Sequence, residues 1–408
     1  MKLRTIIYLL SCLLWTACSD DELQPATADE ATTVPITLTL GQRATRSAPP
    51  GSTDPMNPTV DGEAETEQTN TVRIIAFRCK ETQENVSYSN DENYADSDFV
   101  YDPTNDQIVT CSRATTSAHR LTAHGQLKKM KGYAYRVVAL AYSLTRSLPF
   151  SNHLLADVGE ENLFTLNLAA HTTLDQFEAD LTHVVHDSWE EFRNGTGNFT
   201  HNTRSLSDQL CYAPQLFYGQ CTSVNGNKVI HFHEKNAADS ISSTYPLSGV
   251  LYRGMAKVQL TLTIDKLYER GTLQWIGLLA NETRTSVKLS TYDDFLQPFN
   301  PIHTTMKNGT YTLVGFVNTG LSVGSTVTLT AWLLPTATKL AIRTFIRDGL
   351  LLRYAYNYPI EVSELSSAET GTGIISPDVV DNTFYLRRNQ RYKFVGKLST
   401  LTSKTELE

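Results

Sequence analysis

The residue with the most defined chemistry in this 408-residue sequence is Cys18, which ends the run Leu14-Trp15-Thr16-Ala17-Cys18. Small residues ahead of a cysteine are what a lipoprotein signal peptidase needs, and the thiol exposed at the new N-terminus then carries a thioether-linked diacylglycerol. Trp15 departs from that pattern, since a small or aliphatic residue is usual there. Upstream, Lys2 and Arg4 precede an apolar stretch from Ile6 to Trp15 that is too short for a bilayer-spanning helix. Together these features predict a signal peptide over residues 1–17 and a lipid on Cys18, the alternative being an ordinary secretory signal with an incidental cysteine.

Four more cysteines, Cys79, Cys111, Cys211 and Cys221, follow in a chain read as exported. An oxidising compartment permits disulfides. Three pairings are open, and Cys79–Cys111 with Cys211–Cys221 keeps each loop local. None of these cysteines stands at zinc-knuckle spacing. His183, His186 and Asp187 could share a helical turn, and His231, His233 and Glu234 a strand, but neither set forms a three-ligand metal motif. The paired acids Asp293-Asp294 and Glu190-Glu191 are neighbours that cannot face each other. No nucleophile elbow or phosphate-binding loop occurs, so the sequence predicts neither enzyme, cofactor nor metal. A net charge of −8 leaves no basic face for nucleic acid. The short cluster Lys128, Lys129 and Lys131 reads as a solvated turn.

The elements that would position such residues are mostly strands. Residues 18–71 read as a tether holding one isolated strand, in which Ile36, Leu38 and Leu40 alternate with threonines between two loose polar segments. Residues 72–244 form a first body, with strands from Val72 to Cys79, Gln107 to Ser112, Tyr133 to Ala141 and Leu163 to Leu168. Further strand composition covers Tyr212 to Tyr218, Lys228 to His233 and Tyr245 to Tyr252. One helix is predicted from Thr172 to about Phe192, capped by Thr172 and Asp175 and carrying Leu174, Phe177, Leu181, Val184 and Val185 on one face. Residues 245–408 form a second body. Its strands are Val258 to Ile264, Thr272 to Leu279, Ser286 to Leu289, Tyr311 to Val317, Thr326 to Leu333, Tyr354 to Val362 and Phe384 to Leu398. The closing run places Tyr392, Phe394 and Leu398 on one face. The fold class is mainly β: two tandem antiparallel β-sandwich domains with minor helix.

Several stretches resemble the fimbrillins, the type V pilus subunits of Bacteroidales. Val250-Leu251-Tyr252-Arg253-Gly254-Met255-Ala256-Lys257-Val258 is similar to the family's entry into its second domain, and Tyr385 to Phe394 to its closing strand. Asn70 to Phe77 and Tyr135 to Ala141 resemble strands of its first domain. Ser19-Asp20-Asp21-Glu22 resembles the surface-export signal of lipoproteins in related bacteria. The resemblance implies transthyretin-like sandwiches, delivery to the outer membrane as a surface-exposed lipoprotein, and assembly with other fimbrial subunits for adhesion. It also implies that an arginine-specific protease cuts after the first strand, at Arg46 or Arg43, removing Ile36, Leu38 and Leu40 so that a donor strand can fill the groove. Tyr392, Phe394 and Leu398 would then belong to a closing or donating strand. A lipid-retaining fimbrial anchor is a close variant. The alternative from a different class is a glycan-binding surface lipoprotein of a nutrient-uptake system. That reading requires exposed aromatic platforms, whereas Trp275 and Trp332 lie within apolar runs.

Overall fold

The computed structural model describes residues 31–40, 69–81, 94–113, 121–144, 146–147, 154–155, 164–180, 185–186, 210–211, 216–235, 241–265, 272–281, 286–289, 312–317, 322–348, 352–360, 366–367, 379–386, 388 and 391–398. The fold is mainly β. Cys18, Arg43 and Arg46 lie outside the described residues.

The largest sheet of the first half has eight strands. Its strands are β1 (Ala31–Leu40), β2 (Thr71–Lys80), β3 (Val100–Thr110), β4 (Ser112–Arg113), β5 (Leu121–Met130), β6 (Tyr133–Tyr142), and two more at Phe217–Thr222 and Leu247–Arg253. The spatial order is β3, β2, β6, Phe217–Thr222, Leu247–Arg253, β1, β5, β4. Because β4 continues β3 after Cys111 and pairs with β5 (Ser112 opposite Thr122), the sheet curls back on itself and its opposite walls pack as two layers. Away from that backbone pairing, the seam between β3 and β5 is spanned by side-chain amides. Asn105 donates from Nδ2 to Lys128 O at 3.1 Å and accepts from Lys128 N at 2.8 Å. Gln107 does the same with Gln126, accepting from its N at 3.1 Å and donating to its carbonyl. Two primary amides thus satisfy a strand edge that would otherwise be open. The Asn105 amide is held in turn by Asp102, whose carboxylate accepts from it at 2.8 Å.

Inside this ring lie Val34, Ile36, Leu38 and Leu40 of β1, with Val72, Ile74, Leu121, Leu127, Tyr135 and Val137 from the other walls. The outer faces of β2 and β6 are covered as well. Ile75, Phe77, Val138, Leu140 and Tyr142 pack with Phe164, Leu174, Phe177 and Ala179 and with Leu289, Trp332 and Leu334 from the second half. Burial on both faces explains why β2 and β6 are almost continuously apolar.

The predicted helix after Thr172 is corrected by the structure. Leu174–Gln176 is a single 3₁₀ turn followed by the short strand Glu178–Asp180, and Val185–His186 is extended. Neighbouring backbone claims a carbonyl that a helix would use, since Leu289 N donates to Phe177 O at 3.0 Å, and Leu174 N is anchored to Phe99 O at 2.8 Å. The lysine cluster is also corrected. Lys128 and Lys129 belong to β5, and only Lys131 is in the turn, beside Gly132 at φ 80°. Lys129 is fully buried, with Nζ donating to His231 O at 2.8 Å.

The second half packs two sheets face to face. One has the order Thr326–Leu333, Ala256–Thr263, Arg391–Lys397, Ser366–Ser367; the other has the order Val185–His186, Leu210–Cys211, Thr312–Val317, Thr272–Ala280, Leu340–Asp348, Leu352–Pro359. Val258, Leu260, Leu262, Ile276, Leu278, Leu329, Ile342, Tyr392 and Phe394 fill the space between. The run expected as one strand from Phe384 to Leu398 is divided into Thr383–Leu386 and Arg391–Lys397. The strand Leu247–Arg253, expected to open the second body at 245, completes the first sheet, so the change of sheet falls at Gly254-Met255.

The seam yields a test. Asn105→Ala strips both partners from the Lys128 backbone, and the unfolding free energy is expected to fall by about 1–3 kcal/mol in denaturant titrations. A change within about 0.5 kcal/mol would mean that the amide does not hold the seam.

Candidate functional site

β1 occupies an interior slot of the first sheet and pairs differently on its two sides. Along one side β1 runs antiparallel to β5 over its whole length, from Ala31 opposite Met130 to Leu40 opposite Leu121. Along the other it runs parallel to Leu247–Arg253, from Ile36 opposite Leu247 to Leu40 opposite Leu251. The alternation in the sequence becomes the burial pattern. Val34, Ile36, Leu38 and Leu40 are at most 1% exposed, whereas Thr33, Pro35 and Thr37 face solvent. Pro35, which has no N–H, sits just before the parallel ladder begins at Ile36, so its missing donor costs no sheet hydrogen bond on that side.

Covering four aliphatic side chains contributes roughly 6–12 kcal/mol toward seating β1 before ordering costs. The chain between Leu40 and Thr69, which carries Arg43 and Arg46, lies outside the described residues. Without β1, both the Leu247–Arg253 edge and the facing edge of β5 would lose their partners. β5 would then be kept in place by the turn to β6, the β4 pairing, the Asn105 and Gln107 amides and the Lys129–His231 contact.

The other residues singled out in the sequence are placed as follows. Tyr392, Phe394 and Leu398 do share one face, and that face is inside the second half, where they are 8%, 5% and 2% exposed. Their strand runs parallel to Ala256–Thr263, with Val258 opposite Tyr392 and Leu260 opposite Phe394. On its other side it meets only Ser366–Ser367 among the described residues. β1 and the closing strand are therefore not brought together; each fills its own half. Trp332 is 7% exposed and takes Arg253 over its ring at 4.5 Å and Lys257 at 5.0 Å. Of Trp275, the backbone lies in Thr272–Ala280 and the side chain is outside the described residues.

The predicted disulfides are corrected, since Cys79, Cys111 and Cys221 are free thiols. Cys79 stands opposite Ala134 at one end of β2, while Cys111 donates its N–H to Asn70 at the other end. Roughly 30 Å of strand separates them, far beyond the reach of a disulfide. Cys221 is buried inside the first sheet, and the backbone of Cys211 belongs to a sheet of the second half. Burial pushes the Cys221 thiol up to about 12 and the Cys111 thiol up to about 11. His231, seen in the sequence as part of a histidine pair, gives Nδ1 to Glu81 Oε1 at 2.9 Å, while His233 is exposed.

Two buried cations that hold elements together carry no clear signal in the sequence. Arg388 is 4% exposed, its Nη2 donates to Tyr218 O at 3.2 Å, and its guanidinium lies 3.9 Å from the Tyr218 ring centroid. It joins the turn before the closing strand to the first half. Lys129 was hidden by its two lysine neighbours, although Leu127 and Lys129 share the parity of Leu121 and Ala123.

The chain matches no protein-family model and no curated protein. Among solved structures it is similar to the tip fimbrial protein Mfa3 from Porphyromonas gingivalis, at 12% identity over 89% of this chain and 94% of that one, with a TM-score of 0.33. The fimbrial anchor protein Mfa2 from the same organism shares 10% identity over 79% and 82%, with a TM-score of 0.35. A fimbrial assembly protein from Parabacteroides distasonis shares 11% identity over 91% and 93%, with a TM-score of 0.36.

Leu38→Ala is expected to destabilise the full chain by about 2–5 kcal/mol, and Thr37→Ala to change stability by less than about 0.5 kcal/mol, as read by thermal and denaturant unfolding. Equal effects would contradict the seating of β1. Thiol alkylation followed by mass spectrometry at mildly alkaline pH should modify Cys111 before Cys221, which it should reach only after unfolding.

Proposed function

We propose that this chain is a fimbrillin-type structural subunit of a cell-surface pilus, exported as a lipoprotein through Cys18 and joined to its neighbours by β-strand exchange at the β1 slot. The observation that carries the reading is the seating of β1. A strand flanked by chain read as loose in the sequence supplies four buried aliphatic side chains to an interior position, and Arg43 and Arg46 follow it within six residues of Leu40. Cleavage there would leave β1 held by non-covalent contacts alone. A segment from another subunit could then take the same place, with main-chain hydrogen bonds giving affinity and alternate side chains giving register. The closing strand with Tyr392, Phe394 and Leu398 stays in its own half in this reading. The partners are other fimbrial subunits and, through the lipid, the outer membrane; the role is adhesion.

The depth of the β1 seat favours one variant, a fimbrial anchor that keeps both its lipid and its first strand. A strand that is interior and paired on both sides gives up most of its contacts before any replacement can enter. For the glycan-binding alternative, the burial of Trp332 removes one of the two platforms it would use.

Treatment of the lipid-free precursor with a trypsin-like protease separates these readings. A subunit of the shaft gives a product starting at Ser47 that forms ladders on a gel, and Arg43→Ala with Arg46→Ala abolishes them. A product that is cut but stays monomeric overturns the exchanging subunit and leaves the anchor. Retardation in gels containing soluble polysaccharide would favour the glycan-binding protein instead.

A further inference from the structure

The inner face of the β1 slot is uneven. Ile36 stands between Leu247 on one side and Gly125 on the other, and Leu40 between Leu251 and Leu121. Leu38 stands between Gly249 and Ala123, so both of its cross-strand neighbours are close to bare backbone. The space left by Gly125 is taken by another wall of the ring: a Cβ there would collide with Ile74 Cδ1. The space left by Gly249 is taken by β1 itself, since a Cβ there would lie 2.9 Å from Leu38 Cδ2. Below that point are the Gln220 carbonyl oxygen at 3.1 Å and Cys221 Cα at 3.4 Å, so the floor of the recess is backbone and cannot move aside.

We propose that Gly249 and Ala123 form a recess that selects leucine at the third inward position of any strand occupying this slot, and so sets the identity and register of the partner segment. The partner is an extended segment of another subunit with aliphatic side chains at alternate positions and leucine opposite Gly249. This rests on the strand-exchange reading above. Leucine fits because its branch at Cγ carries a methyl sideways over the neighbouring strand, whereas valine and isoleucine keep their branch close to their own backbone and leave the recess unfilled. An aromatic ring meets the backbone floor. A shift by one residue turns the inward side chains to solvent, and a shift by two keeps the parity but puts a different side chain over the recess. Parity therefore excludes odd registers, and Gly249 discriminates among the even ones.

The recess is tested first in the uncut full-length chain. Gly249→Ala and Leu38→Ala should each lower the unfolding midpoint, and the added Cβ should be tolerated once position 38 is shortened, so that the double variant is more stable than the two losses combined predict. In the chain cut by a trypsin-like protease, capture of fluorescent peptides spanning Ala31–Leu40 should favour leucine at position 38 over alanine, valine or phenylalanine by about tenfold or more. Gly249→Ala should abolish that preference. Additive effects in the uncut chain, or equal capture of all four peptides, would overturn the recess. Strong coupling in the uncut chain with no capture of any peptide would instead refute strand exchange at this slot, and the selection of a partner with it.

Discussion

The closed state of the first sheet depends on ten residues, Ala31–Leu40, lying between β5 and Leu247–Arg253. A strand in that place removes two open edges at once and adds Val34, Ile36, Leu38 and Leu40 to a core whose flanking walls supply Leu121, Leu127, Leu247 and Leu251 but only Ala123 and Gly249 at the level of Leu38. At Leu38 both cross-strand neighbours are small, and the leucine fills the space they leave. β1 thus supplies four of the buried side chains of this core, and the ring's stability depends in part on the occupancy of its slot.

The remaining contacts around β5 work in the same direction. The Asn105 and Gln107 amides and the β4 pairing hold that strand from the side away from β1, and the buried Lys129 ammonium against His231 O holds it from its inner face. At the other end of the ring, Arg388 on Tyr218 and Arg253 over Trp332 fasten the two halves together. Both arginines use flat, weakly hydrated guanidinium groups against aromatic faces, which suits contacts that are 4% exposed.

Much of this was legible in the sequence because a period of two survives any tertiary context that leaves one face wet. Ile36, Leu38 and Leu40 were read as one face and are one face; Val258, Leu260, Leu262 and the run Thr326–Leu333 are likewise where alternation put them. Tyr392, Phe394 and Leu398 were grouped correctly, although alternation could not say which sheet they face. The failures have physical causes. β5 was missed because its inward row mixes Leu121, Ala123, Gly125, Leu127 and Lys129, in which two small residues and a charge blur the contrast. The helix after Thr172 was expected because Leu174 and Phe177 fall three apart, but a 3₁₀ turn and a strand that share a buried face give the same spacing. The cysteine pairing relied on loop length, and Cys79 and Cys111 lie at opposite ends of a strand that a loop-length argument cannot see.

The parallel pairing of β1 with Leu247–Arg253 also constrains the order in which the protein acquires its form. Ile36 and Leu247 are roughly two hundred residues apart, and closing so long a loop is slow compared with forming the hairpin of β5 and β6, whose contacts are local. A chain emerging from a translocation channel with its N-terminus first would release the key strand early and its second wall late. During that interval β1 has only β5 to lie against, and the ring waits, unclosed, for a segment that has not yet arrived. A strand made early and enclosed late would leave sheet edges unpaired in the interval.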